Sequence, residues 1–322
     1  MTEQVAHYNI LERLGGGALG DVYRARDTKI GRTVALMQPP AHLVSDERRR
    51  ARFVEDARVA TALNHPNIAA LFDVVDEGGR CYLVYEFAAG PSLGQEMSGV
   101  RLGVRRAVEL AAQIADALAE GHSRGIVHGD LRPDTVVVTP KGSTKILNFG
   151  MVPWTAGGSA RALAAVAPDS LSADEAVVAG YLSPEQAIGG RIDPRSDLFT
   201  LGVMLHEMLT GRNPLEMARA SDTVLSVTRA TAPPPSSQNP DVPRELDALI
   251  GRTMSKNLDA RPATAAALAS DLRAIVSLLD ARAGDRAQGA LIPLEEERGR
   301  GPMWIAAAAV AAAAGLAWWW LH

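Results

Sequence analysis

His128-Gly129-Asp130-Leu131-Arg132-Pro133-Asp134-Thr135 packs two carboxylates, a histidine and an arginine into eight residues, and Asn148-Phe149-Gly150 follows eighteen residues after Asp130. Upstream, Gly15-Gly16-Gly17-Ala18-Leu19-Gly20-Asp21-Val22 places glycines in the spacing G-x-G-x-x-G and ends on a valine. Alone, that stretch reads as a Gly-rich hairpin as readily as a phosphate cover. Thr33-Val34-Ala35-Leu36-Met37 comes next, a strand-like run ending in an uncharged thioether that donates no hydrogen bond. Downstream stand Ser183-Pro184-Glu185 and the apolar run Ser196-Asp197-Leu198-Phe199-Thr200-Leu201-Gly202-Val203. The order and spacing of these pieces carry far more information than any one of them.

A chain of 322 residues with 47% hydrophobic content can bury one large core or two lobes. The net charge of −4 and the scattered arginines argue against nucleic acid as a partner. Cys81 is the single cysteine, which excludes an internal disulfide framework and fits a small buried hydrophobe in a reducing compartment. No basic region followed by an apolar stretch opens the sequence, so no signal peptide is expected. Residues 303–322 contain no Asp, Glu, Lys or Arg. Twenty helical residues span about 30 Å, the thickness of a bilayer core. Trp304 stands near one end and Trp318, Trp319 and Trp320 near the other, as in an interfacial aromatic belt. Arg298 and Arg300 precede the span and no basic residue follows it, so residues 1–300 are expected in the cytoplasm, with no extracytoplasmic sensor domain.

Residues 8–90 read as short strands at 11–14, 22–25, 34–37, 71–75 and 82–87 around one helix at 47–63, where Phe53, Ala57, Ala60 and Leu63 recur at helical spacing. Beyond Gly90, helices are expected at 104–122, 197–209, 244–254 and 263–281, giving an α+β arrangement. Residues 282–302 read as a linker. The Ala-, Gly- and Ser-rich stretch 155–176 lacks firm periodicity and is expected to be mobile, with Ser159, Ser170 and Ser172 as exposed candidate phosphate acceptors. Pro233-Pro234-Pro235 reads as a stiff surface connection.

Taken together, the motifs resemble those of the bacterial, eukaryote-like (Hanks-type) Ser/Thr protein kinases over residues 8–280. The resemblance implies a bilobal protein-kinase fold in a domain at 1–281, with a β-rich N-lobe at 8–90 and a helical C-lobe at 91–281. It implies that Gly15, Gly17, Gly20, Val22 and Ala35 surround a nucleotide, with Tyr85 as gatekeeper and Glu86 and Ala88 in the hinge. Asp130 matches the catalytic base, His128 and Phe149 an internal spine, Asp197 the helix aspartate that holds the catalytic loop, and Glu185 with Arg261 a buried ion pair.

The charged positions that serve phosphoryl transfer depart from the pattern. Met37 replaces the strand lysine, and Asp56 stands where its glutamate partner belongs. Asn148 and Thr135 replace the two metal-binding residues; neither offers the hard anionic oxygen that Mg²⁺ favours. Arg132 replaces the catalytic-loop lysine, Gly129 the arginine that reads a phosphorylated loop, and Val178 the threonine that bonds the catalytic aspartate. Loss of one preorganised donor costs a transition state about 3 kcal/mol, and several such losses bring the rate towards background. The resemblance therefore implies a membrane-anchored pseudokinase that regulates or scaffolds protein partners such as active kinases or cell-envelope factors. The alternative is a weak or unconventional ATP-dependent Ser/Thr kinase using Asp130 with Arg24 or Arg132 as surrogate cations. ATP is the implied ligand if nucleotide binding is retained, with Mg²⁺ weakly held or absent.

Overall fold

The computed structural model describes residues 4–289, apart from Ala18, Ser45, Gly78, Gly79 and Val166. The apolar segment expected to cross a membrane, 303–322, lies outside the described residues, as does most of the expected linker. Among the described residues no helix is long and apolar enough to cross a membrane.

The first lobe is a six-stranded antiparallel sheet with a helix on one face. Its elements are β1 (Gln4–Val5), β2 (Tyr8–Gly17), β3 (Gly20–Asp27), β4 (Thr33–Gln38), α1 (Glu47–Ala60), β5 (Leu71–Glu77) and β6 (Arg80–Glu86), in the sheet order β1-β2-β3-β4-β6-β5. Side-chain alternation along β4 builds two cores. Val34 and Leu36 pack with Tyr8, Ala25 and Val84 on one face. Met37 and Ala35 face the other way, onto Phe53 and Ala57 of α1 and onto Leu83 and Tyr85 of β6. Cys81 is buried in that second core, and burial pushes its thiol up to about 11. The Asp46 carboxylate caps α1 by accepting from the Arg49 N–H at 2.8 Å. The β2–β3 turn closes at Gly20 with φ 113°; a Cβ there would sit 1.9 Å from the Gln38 carbonyl oxygen, so only glycine fits.

The second lobe is mainly helical: α2 (Leu93–Met97), α3 (Val104–Ser123), the strand pair β7 (Val136–Val138) and β8 (Thr144–Ile146), α4 (Ala156–Ala164), α5 (Ala173–Ala179), α6 (Pro184–Ala187), α7 (Pro194–Thr210), α8 (Ala220–Arg229), α9 (Arg244–Thr253) and α10 (Ala265–Gly289). Helix α7 is buried from Ser196 to Leu209 except at the half-buried Glu207, as its predominantly apolar sequence requires. Asp193 and Ser196 form a capping box that starts it.

Two expectations need correction. The stretch 155–176 is largely structured: α4, a 3₁₀ turn at Pro168–Ser170 and the start of α5 occupy it. Alanine is the strongest helix former, so the segment needs no periodic apolar stripe to coil. Ser170 and Ser172 are both exposed, the Ser172 hydroxyl also capping α5 by accepting from the Glu175 N–H and donating to its carboxylate at 2.8 Å, while the side chain of Ser159 lies outside the described ones. The helix expected to end at 281 continues as α10 to Gly289, because Arg282, Ala283, Arg286 and Ala287 are all good helix formers and no proline interrupts them.

Candidate functional site

A cleft of about 490 Å³ opens between the sheet and the loops around β7 and β8. Gly15, Gly20, Val22, Ala35 and Met37 form its roof, Val137 and Leu147 its floor, and Tyr85 its back. Glu86 and Ala88 form the strap between the lobes, while Asp130, Arg132 and Asn148 lie at the polar end. Of the residues expected here, Gly17 ends β2 opposite Gly20. The strap is stapled from below: the Lys145 ammonium on β8 lies 2.6 and 2.8 Å from the two Glu86 carboxylate oxygens.

The loop 128–135 is held by α7 and α6. The Asp197 carboxylate accepts from the backbone N–H of His128 at 2.9 Å and of Gly129 at 2.8 Å, and contacts His122 Nε2 at 2.7 Å. The Gln186 amide donates to the Gly129 carbonyl at 2.8 Å. Gly129 has φ 69°, a conformation that would strain a side chain at this position. His128 is fully buried; its Nε2 lies 2.9 Å from the Leu147 carbonyl and its ring meets Phe149 edge-on at 5.1 Å. Further down, Arg261 forks onto Glu185 at 2.8 and 2.9 Å, and Ser196 donates to the same carboxylate at 2.6 Å. That neutralisation holds the Glu185 carboxyl below its usual range despite burial, which acts in the opposite direction.

The reactive end of the loop is only partly satisfied by its own residues. Arg132 donates to Asp130 Oδ1 at 2.8 Å. Asp130 Oδ2 is buried and has no hydrogen-bond partner among the described residues. The Thr135 hydroxyl donates to the Arg132 carbonyl at 2.9 Å and accepts from the Arg132 N–H at 3.0 Å. It braces the loop rather than facing a metal. Asn148 takes φ 61°, a left-handed conformation that asparagine tolerates better than most residues.

The strand-lysine position is apolar in fact as well as in name. Met37 is 5% exposed and sits among Leu19, Phe53, Leu83, Met151 and Trp154. Asp56 faces that cluster but makes no ion pair with it; it accepts from the Trp154 indole N–H at 2.9 Å. At the position where the family pattern has a glutamate facing the strand lysine, the Asp56 carboxylate thus takes its donor from a tryptophan. Phe53 packs edge-on against the same indole at 5.2 Å. Arg24 is no surrogate cation, because it pairs with Glu12 at 2.9 Å and does not line the cleft. Sequence reasoning missed both Trp154 and Lys145. The available signal for Trp154 was its position as the one tryptophan before Trp304, six residues after Asn148.

These residues do not fit a metal–triphosphate. Among the described residues no cluster of three His, Cys, Asp or Glu could hold a metal. The lining carries three carboxylates, Glu86, Asp130 and Asp134, against one guanidinium, Arg132.

The sequence pattern of the protein kinase domain matches residues 8–272. The chain belongs to the protein kinase family. Its relatives place it among the bacterial Hanks-type members. It is 34% identical over 276 residues to the Serine/threonine-protein kinase pkn3 of Myxococcus xanthus, covering 83% of this chain and 50% of that one. It is 33% identical over 272 residues to the Serine/threonine-protein kinase PknB of Mycolicibacterium smegmatis, covering 82% of this chain and 42% of that one. The match therefore spans half or less of these kinases. The fold also superposes on the crystal structure of the Mycobacterium tuberculosis PknI kinase domain with a TM-score of 0.64 and 22% identity, over 84% of this chain and 97% of that one. At that identity the likeness to the PknI kinase domain speaks for the fold alone.

Proposed function

We propose that this kinase-family chain is a membrane-anchored pseudokinase that acts on protein partners through its surface rather than by phosphoryl transfer. The observation that carries the reading is Met37 packed into an apolar cluster while Asp56 is committed to Trp154. Phosphoryl transfer depends on positioning and charge neutralisation. The cleft offers no cation at the strand position, no carboxylate at Asn148, and an Asp130 already paired with Arg132. The test is radiolabel transfer from Mg²⁺-ATP to a generic protein substrate by the full chain. The expected incorporation equals that of Asp130→Asn; incorporation that depends on Asp130 overturns the proposal.

The rival reading, a weak or unconventional Ser/Thr kinase, draws on the retained Asp130 and on the names of the relatives, and the same assay decides between the two. Membrane anchoring rests on the uncharged 303–322 segment and on Arg298 and Arg300 before it. The full chain is expected in the membrane fraction, resistant to carbonate extraction, and a chain cut after 302 in the soluble fraction. Recovery of both in the soluble fraction sinks the anchor. Active kinases and cell-envelope factors are the partner classes that such an anchored surface would meet.

A further inference from the structure

We propose that the cleft is a binding site for a flat, phosphate-free heteroaromatic ligand of zero or positive charge, whose polar arm donates to Asp130. The inference rests on the reading above that the cleft does not handle a transferable phosphate.

Three features of one cavity carry it. The first is shape: Val22 and Ala35 above and Val137 and Leu147 below leave an apolar slot, and about 490 Å³ suits a small organic ligand. The second is a pair of buried polar atoms in the lining that find no partner among the described residues, the Tyr85 hydroxyl and Asp130 Oδ2. Tyr85 is 7% exposed and Asp130 5%. Buried polar groups are nearly always hydrogen-bonded, so two orphans in one cavity point to a ligand that satisfies them. The hydroxyl can donate or accept, but a carboxylate oxygen only accepts, so the ligand must bring a donor to Asp130.

The third feature is charge. Three carboxylates against one guanidinium leave the lining at −2 (−3 + 1), and Lys145, bonded to Glu86 from outside the lining, brings the neighbourhood to −1. Arg132 is spent on Asp130. A triphosphate entering here meets like charge without a compensating cation, whereas an ammonium or a hydroxyl meets an acceptor. At a surface-like effective dielectric, one unit charge at contact distance is enough to order ligands by charge.

The experiment holds the ring constant and changes the arm. The full chain in detergent micelles is titrated calorimetrically with 5′-amino-5′-deoxyadenosine, adenosine, AMP and ATP, with EDTA and again with Mg²⁺. Affinity is expected to fall along that order, by roughly tenfold or more from adenosine to ATP. The advantage of the amine over adenosine should shrink on adding salt in the unmodified chain and vanish in Asp130→Asn. ATP binding more tightly than adenosine under either metal condition overturns the proposal, as does no binding by the amine and adenosine, or an amine advantage untouched by both salt and Asp130→Asn. Phosphate transfer is scored in the same samples. Tight ATP without transfer sinks this inference alone, whereas ATP with Asp130-dependent transfer sinks the proposed function as well.

Discussion

Met37 and Asp56 show how a residue position keeps its place in a fold while its chemistry is exchanged. The thioether fills the space of an aliphatic stem, and the aspartate finds a neutral donor in Trp154. Met37→Lys alone is therefore expected to restore no transfer. It should instead lower stability by about 2–4 kcal/mol in chemical denaturation, because an ammonium enters an apolar cluster whose carboxylate is taken. Adding Trp154→Phe frees Asp56, so the pair of changes should cost less than the sum of each; strict additivity would count against the Asp56–Trp154 bond as the reason. Glu207 gives a pH signature. Burial, with a smaller push from the nearby Glu216 and Asp134 charges, raises its carboxyl to about 7, against the hydrogen bond it accepts from the Tyr181 hydroxyl at 2.8 Å. An acid raised in the folded state holds a proton that the unfolded chain releases, so its contribution is present at low pH and is lost as pH rises from about 4.5 to about 7. Glu207→Gln should remove that slope, gaining stability relative to the parent at pH 8 but not at pH 4, as read by thermal melts in matched buffers.

At the scale of elements, the legible parts were those whose pattern follows from burial. The alternation of β4, the stripe of α1 and the strongly apolar α7 were written in the sequence and folded where expected, within a few residues. The short pieces were not: β1, β7, β8, α2, α6 and α8 are too brief or too mixed for a periodic signal, and tertiary contacts hold them. The alanine-rich α4 escaped because propensity, not amphipathicity, forms it. In the cleft, the substituted positions could be named from the resemblance to the family's motifs, but their new partners could not. Nothing in the sequence ties Trp154 to Asp56 or Lys145 to Glu86, which meet only through the fold. Elements are locked in the same way at Glu185 and Arg261, where α6 and the loop before α10 are bolted by a two-pronged buried pair. Arg261→Ala leaves a carboxylate without its counter-ion and should cost about 3–5 kcal/mol, a fall of roughly 10 °C in melting temperature for a domain of this size.

For the molecule as a whole, the strap between the lobes is tied to the cleft floor by an ion pair, Lys145 to Glu86. Lys145→Met should loosen the strap with little loss of global stability, and amide exchange along β6 and β8 should speed up while α7 stays protected. Unchanged exchange in β6 would show that the pair is incidental. The Trp154 contact has a practical consequence of another kind. Of the chain's five tryptophans, four lie at Trp304 and beyond, so Trp154 is the sole indole among the described residues. Replacing those four with phenylalanine would leave a single intrinsic fluorophore seated between α1 and the segment after Asn148-Phe149-Gly150. Its emission would then be a built-in optical gauge of that junction, blue while the indole stays buried against Phe53 and shifting to the red whenever a ligand or partner pries the helix away.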